Sequence, residues 1–317
     1  MKKGVSYFLY HNGLEQPCRE QLKVIRLKIQ RGQKQMIYLL LVLFLLINLA
    51  LFFVDLLVVL LSYSIYWYEY SNQHPAAFDQ RFHRRSLRLC LALIFSEVFF
   101  NYITLVTLPF GFFNKKNQDL KRGETPVLLL HGLFDNQFCW FWFKRQLRQQ
   151  GFHNIITINL SSWHNEEILT ELLAKRIDEL RHRLGVNKVN LVGHSFGGII
   201  ARNYIQLRGG ADKVARLVFL GTPHLGSKLA TFSVSPLGKL LIQNSDFLQR
   251  LNSAPWPKDI QVTNIYSKKD NMVLPNSSCH LPWGATVELD GMGHTSLIYR
   301  KAAVDAAITA LKETPEQ

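Results

Sequence analysis

From Ile37 to Leu61 the chain reads IYLLLVLFLLINLALFFVDLLVVLL, with Asp55 as its one charge. As a helix, about 25 residues at ~1.5 Å each reach roughly 37 Å, enough to cross a ~30 Å hydrocarbon core with some tilt. A second block, Leu89 to Phe113, reads LCLALIFSEVFFNYITLVTLPFGFF. It is also long enough to span, although Glu97 and Asn101 interrupt it. A buried core helix is the competing reading, and it weighs more for the second block. A cleaved signal peptide would carry a short apolar core near the N-terminus. Here a mostly polar segment, residues 1–36, comes first. We therefore expect a transmembrane helical hairpin over residues 37–113, with spans at 37–61 and 89–113. In an antiparallel pair Asp55 and Glu97 fall at nearly the same depth, as do Asn48 and Asn101. That match predicts a polar seam between the two helices.

Two spans put both ends of the chain on one side, and the flanking Lys and Arg say which. Arg19, Lys23, Arg26, Lys28, Arg31 and Lys34 precede the first block, and Lys115, Lys116, Lys121 and Arg122 follow the second. The intervening loop holds Arg81, Arg84, Arg85 and Arg88. Ten against four favours a cytoplasmic N-terminus and C-terminal domain. The full chain carries 37 Lys+Arg against 23 Asp+Glu, a net +14. More than half of that excess lies before residue 126, around the apolar blocks. It suits anionic membrane lipids as partners better than nucleic acid, for which no helix-turn-helix, RNP or finger pattern is present. The 4 Cys contain no C-x-x-C pair, so neither a disulfide scaffold nor a structural zinc site is expected.

After Gly123 short β-branched runs alternate with amphipathic stretches. Strands are expected at 127–130, 154–160, 188–193, 214–220, 260–266 and 285–289. Helices are expected at 140–150, 166–184, 197–208 and 302–311. In the second of these, Ile168, Leu172, Leu173, Ile177 and Leu180 recur at helical spacing and predict the buried face. Strand–helix alternation over residues 114–317 argues an α/β fold: a mainly parallel sheet of about six strands with helices on both faces.

The chemistry starts at Ser195. Gly193-His194-Ser195-Phe196-Gly197 matches G-x-S-x-G, after a hydrophobic strand and before a helix, the context that motif requires. The serine must stand on a strained turn. Glycines on either side remove the side chains that would collide with strand and helix. A hydroxyl is a poor nucleophile and needs a base that is itself oriented by an acid.

These pieces resemble the α/β-hydrolase superfamily, in its bacterial lipase/esterase (triacylglycerol lipase-like) branch. The resemblance is carried by PVLLLHGLFDN at 126–136, GHSFGG at 193–198, GTPHLGS at 221–227, IYSKKDNMVLP at 265–275 and GMGH at 291–294. It spans nearly the whole C-terminal region and none of the apolar blocks. It implies an α/β-hydrolase fold in which Ser195 is the nucleophile, His294 the base and Asp270 the acid. Asp290 and Asp259 are competing acids, and His224 belongs to a segment that shapes the pocket. The backbone N–H groups of Leu133 and Phe196 would form the oxyanion hole, leaving His131 a structural role. An acyl chain would lie along the aromatic stretch Phe134 to Phe143 and beneath a lid near 228–256, although both segments also read as plain core. The implied reaction needs no cofactor and no metal, and no acidic pair suggests the structural calcium of some relatives.

Together these readings point to a hydrolase of lipid-like carboxylic esters, anchored in a bacterial inner membrane with its domain in the cytoplasm. An acyl thioesterase or depalmitoylase on the same triad is the nearest alternative. A non-catalytic membrane adaptor is a further one, which the intact Ser, Asp and His set argues against.

Overall fold

The computed structural model describes residues 16–73, 84–113 and 120–312. Arg81, Lys115 and Lys116 of the charge argument lie outside them. The chain divides after Leu51 into two compact units.

Helix α1 runs Gln16–Gln73 without a break. In the first unit the large apolar side chains from Ile37 to Leu49 stand open. There the Asn48 amide donates to the Phe44 carbonyl one turn back, at 2.8 Å.

The second unit begins with the rest of α1 and with helix α2, Arg84–Thr107. Both helices are long and apolar enough to cross a membrane. Their faces are unequal. Val59, Tyr63 and Tyr66 of α1 pack with Leu93 and Val98 of α2 and with Leu274 from a loop of the C-terminal domain. Phe53, Val54, Leu57 and Leu61, with Leu91, Phe95 and Phe99, remain open. The expected polar seam is found in part. Asp55 hydrogen-bonds the Asn101 side chain, but Glu97 turns away to the C-terminal domain. A chain of rings, Phe110–Phe138–Phe141–Tyr299–Phe100, also joins the α2 region to that domain.

The C-terminal domain is a six-stranded, all-parallel sheet in the order β2-β1-β3-β4-β5-β6. The strands are β1 Val127–Leu130, β2 Ile155–Ile158, β3 Val189–His194, β4 Val214–Leu220, β5 Gln261–Ser267 and β6 Ala285–Leu289. β1 and β3 are buried along their whole length, as continuous apolar strands of a sheet covered on both faces are. Helices α4 (Glu166–Leu184) and α5 (Phe196–Arg202) cover one face, and α3 (Phe141–Gln149) and α8 (Lys301–Lys312) the other.

Two expectations need correction. Helix α4 buries Leu169, Leu173, Ile177, Leu180 and Leu184. Leu173, Ile177 and Leu180 are buried as predicted, whereas Ile168 and Leu172 are exposed and Leu169 and Leu184 complete the stripe instead. Between β4 and β5 stand two short helices, α6 (Pro236–Lys239) and α7 (Asp246–Ser253). Leu237, Leu241, Phe247, Leu248 and Leu251 of this expected lid are packed into the core. What stands open there is Phe232 and Val234.

Candidate active site

Strand order reverses between β1 and β3, since the chain leaves β1 toward β2 on one side and returns to β3 on the other. Such a switch point opens a crevice at the carboxyl ends of the strands. Ser195 and the loop His131-Gly132-Leu133 both emerge there.

Ser195 has φ 53° and ψ −122°, a strained conformation for a residue with a side chain. Its neighbours make the turn possible. A Cβ on Gly193 would lie 2.5 Å from the Gly198 backbone, and one on Gly197 would strike the Leu130 carbonyl. The Ser195 N–H is held by the Leu220 carbonyl at 2.9 Å. Phe196 opens α5, so its N–H is one of the helix's unpaired first-turn donors. Gly132 is a third closely packed glycine, beside this turn. A Cβ there would meet the Ser195 Cβ at 3.1 Å and the Asp135 carboxylate at 3.6 Å.

His294 follows β6, and its Nδ1 lies 2.7 Å from Asp270 Oδ2. Its ring centroid is 4.8 Å from that of His194, the residue before Ser195. Asp270 has no exposed surface. Its other oxygen accepts the N–H groups of Met272 and Val273 at 2.8 and 2.9 Å, so the carboxylate cannot rotate away. The competitor Asp290 is exposed and accepts from the N–H of Gly291 next door. Asp259 is exposed as well.

Burial by itself would lower the His294 pKa. The charge and hydrogen bond of Asp270 outweigh it and, with Glu97 and Asp135, hold the imidazole above its ordinary 6.5. The His131 ring does not face the reaction. Its Nε2 accepts the Leu160 N–H at 2.9 Å and its Nδ1 donates to the Gly132 carbonyl at 2.8 Å. Burial drives its pKa down to about 4, so it is a neutral strut for the loop His131-Gly132-Leu133.

His224 lies in a separate buried knot beneath α5. Its Nδ1 accepts from Arg202 and its Nε2 faces Asn264, both at 3.3 Å. Arg202 is fully buried and is satisfied by neutral groups, among them Gln206, Asn252 and the Leu251 carbonyl. Burial lowers its pKa to about 10.

Of the aromatic stretch, Trp140 and Phe143 are core, whereas Phe134, Phe141 and Trp142 are open. Phe134 meets the exposed Trp163 edge-on, with centroids 6.2 Å apart, just after the loop His131-Gly132-Leu133. A cleft of about 1390 Å³ between β2 and α4 holds none of these groups.

Three residues beside the couple escaped the motif reading. Asp135 sits within the quoted HGLFDN segment, and burial lifts its carboxyl to about 7 against the pull of His294. Asn271 accepts the His294 backbone N–H at 3.1 Å. Glu97 accepts the N–H groups of Thr295 and Ser296. Position next to Asp270 was the only signal for Asn271. For Glu97 the signal is a carboxylate inside an apolar run, a pattern that equally suits pairing between the two helices.

A parallel sheet with a strained serine after its third strand, and an Asp–His couple at the ends of its last two, defines the α/β-hydrolase fold. Residues 125–250 match the family described as alpha/beta hydrolase fold. Over 110 residues the chain is 31% identical to a triacylglycerol lipase of Pseudomonas fragi, covering 33% of this chain and 36% of that one. Over 149 residues it is 26% identical to an sn-1-specific diacylglycerol lipase of Danio rerio, covering 45% and 42%. The chain thus spans well under half the length of these curated relatives. The crystal structure of mature Bacillus licheniformis lipase BlEst2 shares the fold, with a TM-score of 0.51 and 20% identity over 62% of this chain and 95% of that one.

Proposed function

We propose that this chain is a membrane-attached serine hydrolase that cleaves carboxylic esters of lipid-like substrates through an acyl-enzyme. The observation that carries the reading is the buried Asp270–His294 couple, 2.7 Å across, at the same crevice as the strained Ser195 turn. Ser195 adds its oxygen to the ester carbonyl while His294 Nε2 takes the hydroxyl proton. Asp270 keeps Nδ1 protonated and steadies the imidazolium. The N–H groups of Leu133 and Phe196 receive the developing oxyanion, each such donor supplying on the order of 3–4 kcal/mol. The tetrahedral adduct then expels the alcohol, which takes the proton from His294. Water, deprotonated by the same histidine, releases the acid and regenerates Ser195.

The lipid-like substrate class is supported by the lipases the chain resembles and by the open rim of Phe134 and Trp163. Membrane attachment is supported by the open apolar faces of α1 and α2. The cytoplasmic side follows from the Lys and Arg count alone.

A fluorophosphonate probe on the full-length protein tests the nucleophile. Wild type is expected to label and to hydrolyse p-nitrophenyl esters. Ser195→Ala is expected to do neither while keeping its circular dichroism, with a loss on the order of 10⁴–10⁶ in kcat. An alanine variant that keeps more than about a tenth of the activity would remove Ser195 from the mechanism.

A further inference from the structure

Glu97 lies in the middle of an apolar helix, yet it is 1% exposed and has no Lys or Arg partner among the described residues. A carboxylate in that position is tolerated only where protein groups satisfy it. Those groups are the backbone N–H of Thr295 and of Ser296, the two residues that follow His294. They open the short 3-10 turn Thr295–Ile298, whose preceding residue, His294, makes no side-chain cap of its own. Glu97 therefore caps this turn from another helix. Its approach is close: a Cβ on Gly293 would strike both the Glu97 carboxylate and the Tyr63 hydroxyl.

We propose that Glu97 is a positioning residue for the base. Carried by an N-terminal apolar helix, it fixes the loop that bears His294 and sets a negative charge beside the imidazolium formed during turnover. The inference rests on the hydrolase reading above. The titratable groups facing His294 are Asp270 after β5, Asp135 in the oxyanion loop, His194 at the end of β3, and Glu97 itself. Tyr63 of α1 stands against Glu97. Glu97 and Asp270 thus act on the histidine from different elements: Asp270 through the ring, Glu97 through the backbone and through space.

The test measures kcat, KM and the pH profile for p-nitrophenyl butyrate with the full-length protein in nanodiscs. Glu97→Gln keeps the shape of the side chain but loses the charge and turns one N–H donor toward another. It is expected to lower kcat about tenfold with KM nearly unchanged, since the lost interaction acts on the chemical step. Its acid limb is expected to move to lower pH, because removing a nearby negative charge makes the imidazole a weaker base. Glu97→Ala, which also removes the cap, is expected to lose more. A merely structural Glu97 would leave the limb where it is. An unshifted limb, or a wild-type kcat in Glu97→Gln, would overturn the inference while fluorophosphonate labelling of wild type kept the hydrolase reading intact. An unlabelled wild type would overturn both.

Discussion

Asn271 ties Ser62 of α1 to His294: its Nδ2 donates to the Ser62 hydroxyl at 2.7 Å while its Oδ1 accepts the His294 backbone N–H at 3.1 Å. Nearby, the Tyr66 hydroxyl donates to the Lys268 carbonyl at 3.0 Å, and the Tyr63 hydroxyl reaches that of Lys269 at 3.5 Å. Lys269 in turn stands 4.7 Å above the Tyr70 ring. Both loops that present the Asp270–His294 couple therefore lean on side chains of an apolar helix. The helix is part of the wall of the site and more than a tether.

In the proposed mechanism His294 has to be uncharged to take the Ser195 proton. Asp270, Glu97 and Asp135 together hold its pKa above 6.5 against the opposing effect of burial. Activity is therefore expected to rise with pH through an acid limb centred above pH 6.5. Asp135, with its carboxyl at about 7, titrates within the same window. Asp270→Asn is expected to shift that limb to lower pH and to cost on the order of 10⁴ in kcat, because the imidazole then loses its tautomer control. The measurement is kcat/KM against pH. A wild-type limb at or below about pH 6 would contradict the assignment.

Acid should also loosen the fold. Burial drives His131 to about 4, and lowers His194 and His224 well below the ordinary 6.5. Below pH 6.5 the unfolded chain binds protons at these positions and the native chain does not. Stability is thus fully present above pH 6.5 and is lost as pH falls toward the folded values. For His131 the difference amounts to about 3 kcal/mol at most. Thermal midpoints taken between pH 7.5 and 4.5 are expected to fall steadily, and His131→Gln to flatten the fall. A midpoint constant over that range would show these rings to be protonated in the folded state.

Strands β1, β4 and β6 stand where their apolar runs predict them, because each run is bounded by turn residues and flanked by helical periodicity. Two positions of the predicted α4 face, Ile168 and Leu172, lie outside the buried stripe for a definite reason. Ile168 and Leu172 form a second apolar stripe beside Leu169 and Leu173, and periodicity alone does not say which stripe meets the sheet. Ser195 is legible because strained turns need glycines at fixed offsets. Asp270 was separable from Asp290 only by its place after β5, and its burial is visible only in three dimensions. The contact of Glu97 with Thr295 joins positions about 200 residues apart, at a distance no local pattern reports.

Membrane orientation can be checked by fusions to the C-terminus. The ten-to-four excess of Lys and Arg flanking the apolar blocks predicts a cytoplasmic C-terminal domain. A C-terminal alkaline phosphatase fusion is then expected to be inactive and a green fluorescent protein fusion bright. The opposite pattern would move the domain outside, where Cys139 and Cys279, both buried free thiols here, would face an oxidising compartment.

The last prediction concerns the contact between the two apolar helices. Asp55 is buried and hydrogen-bonds Asn101, one oxygen of the carboxyl having no further partner among the described residues. Inside an apolar environment neither side chain is comfortable alone, so removing one partner strands the other. Asn101→Leu is expected to lower the thermal midpoint in nanodiscs, and Asp55→Leu to do the same. The double variant leaves no stranded group and replaces the pair by apolar packing. It is expected to be more stable than the sum of the single losses implies, with a coupling of roughly 0.6–2 kcal/mol, the range for polar contacts between membrane helices. Strict additivity of the two losses would mean that each group finds water independently, and that the helices are paired by their apolar contacts and rings alone.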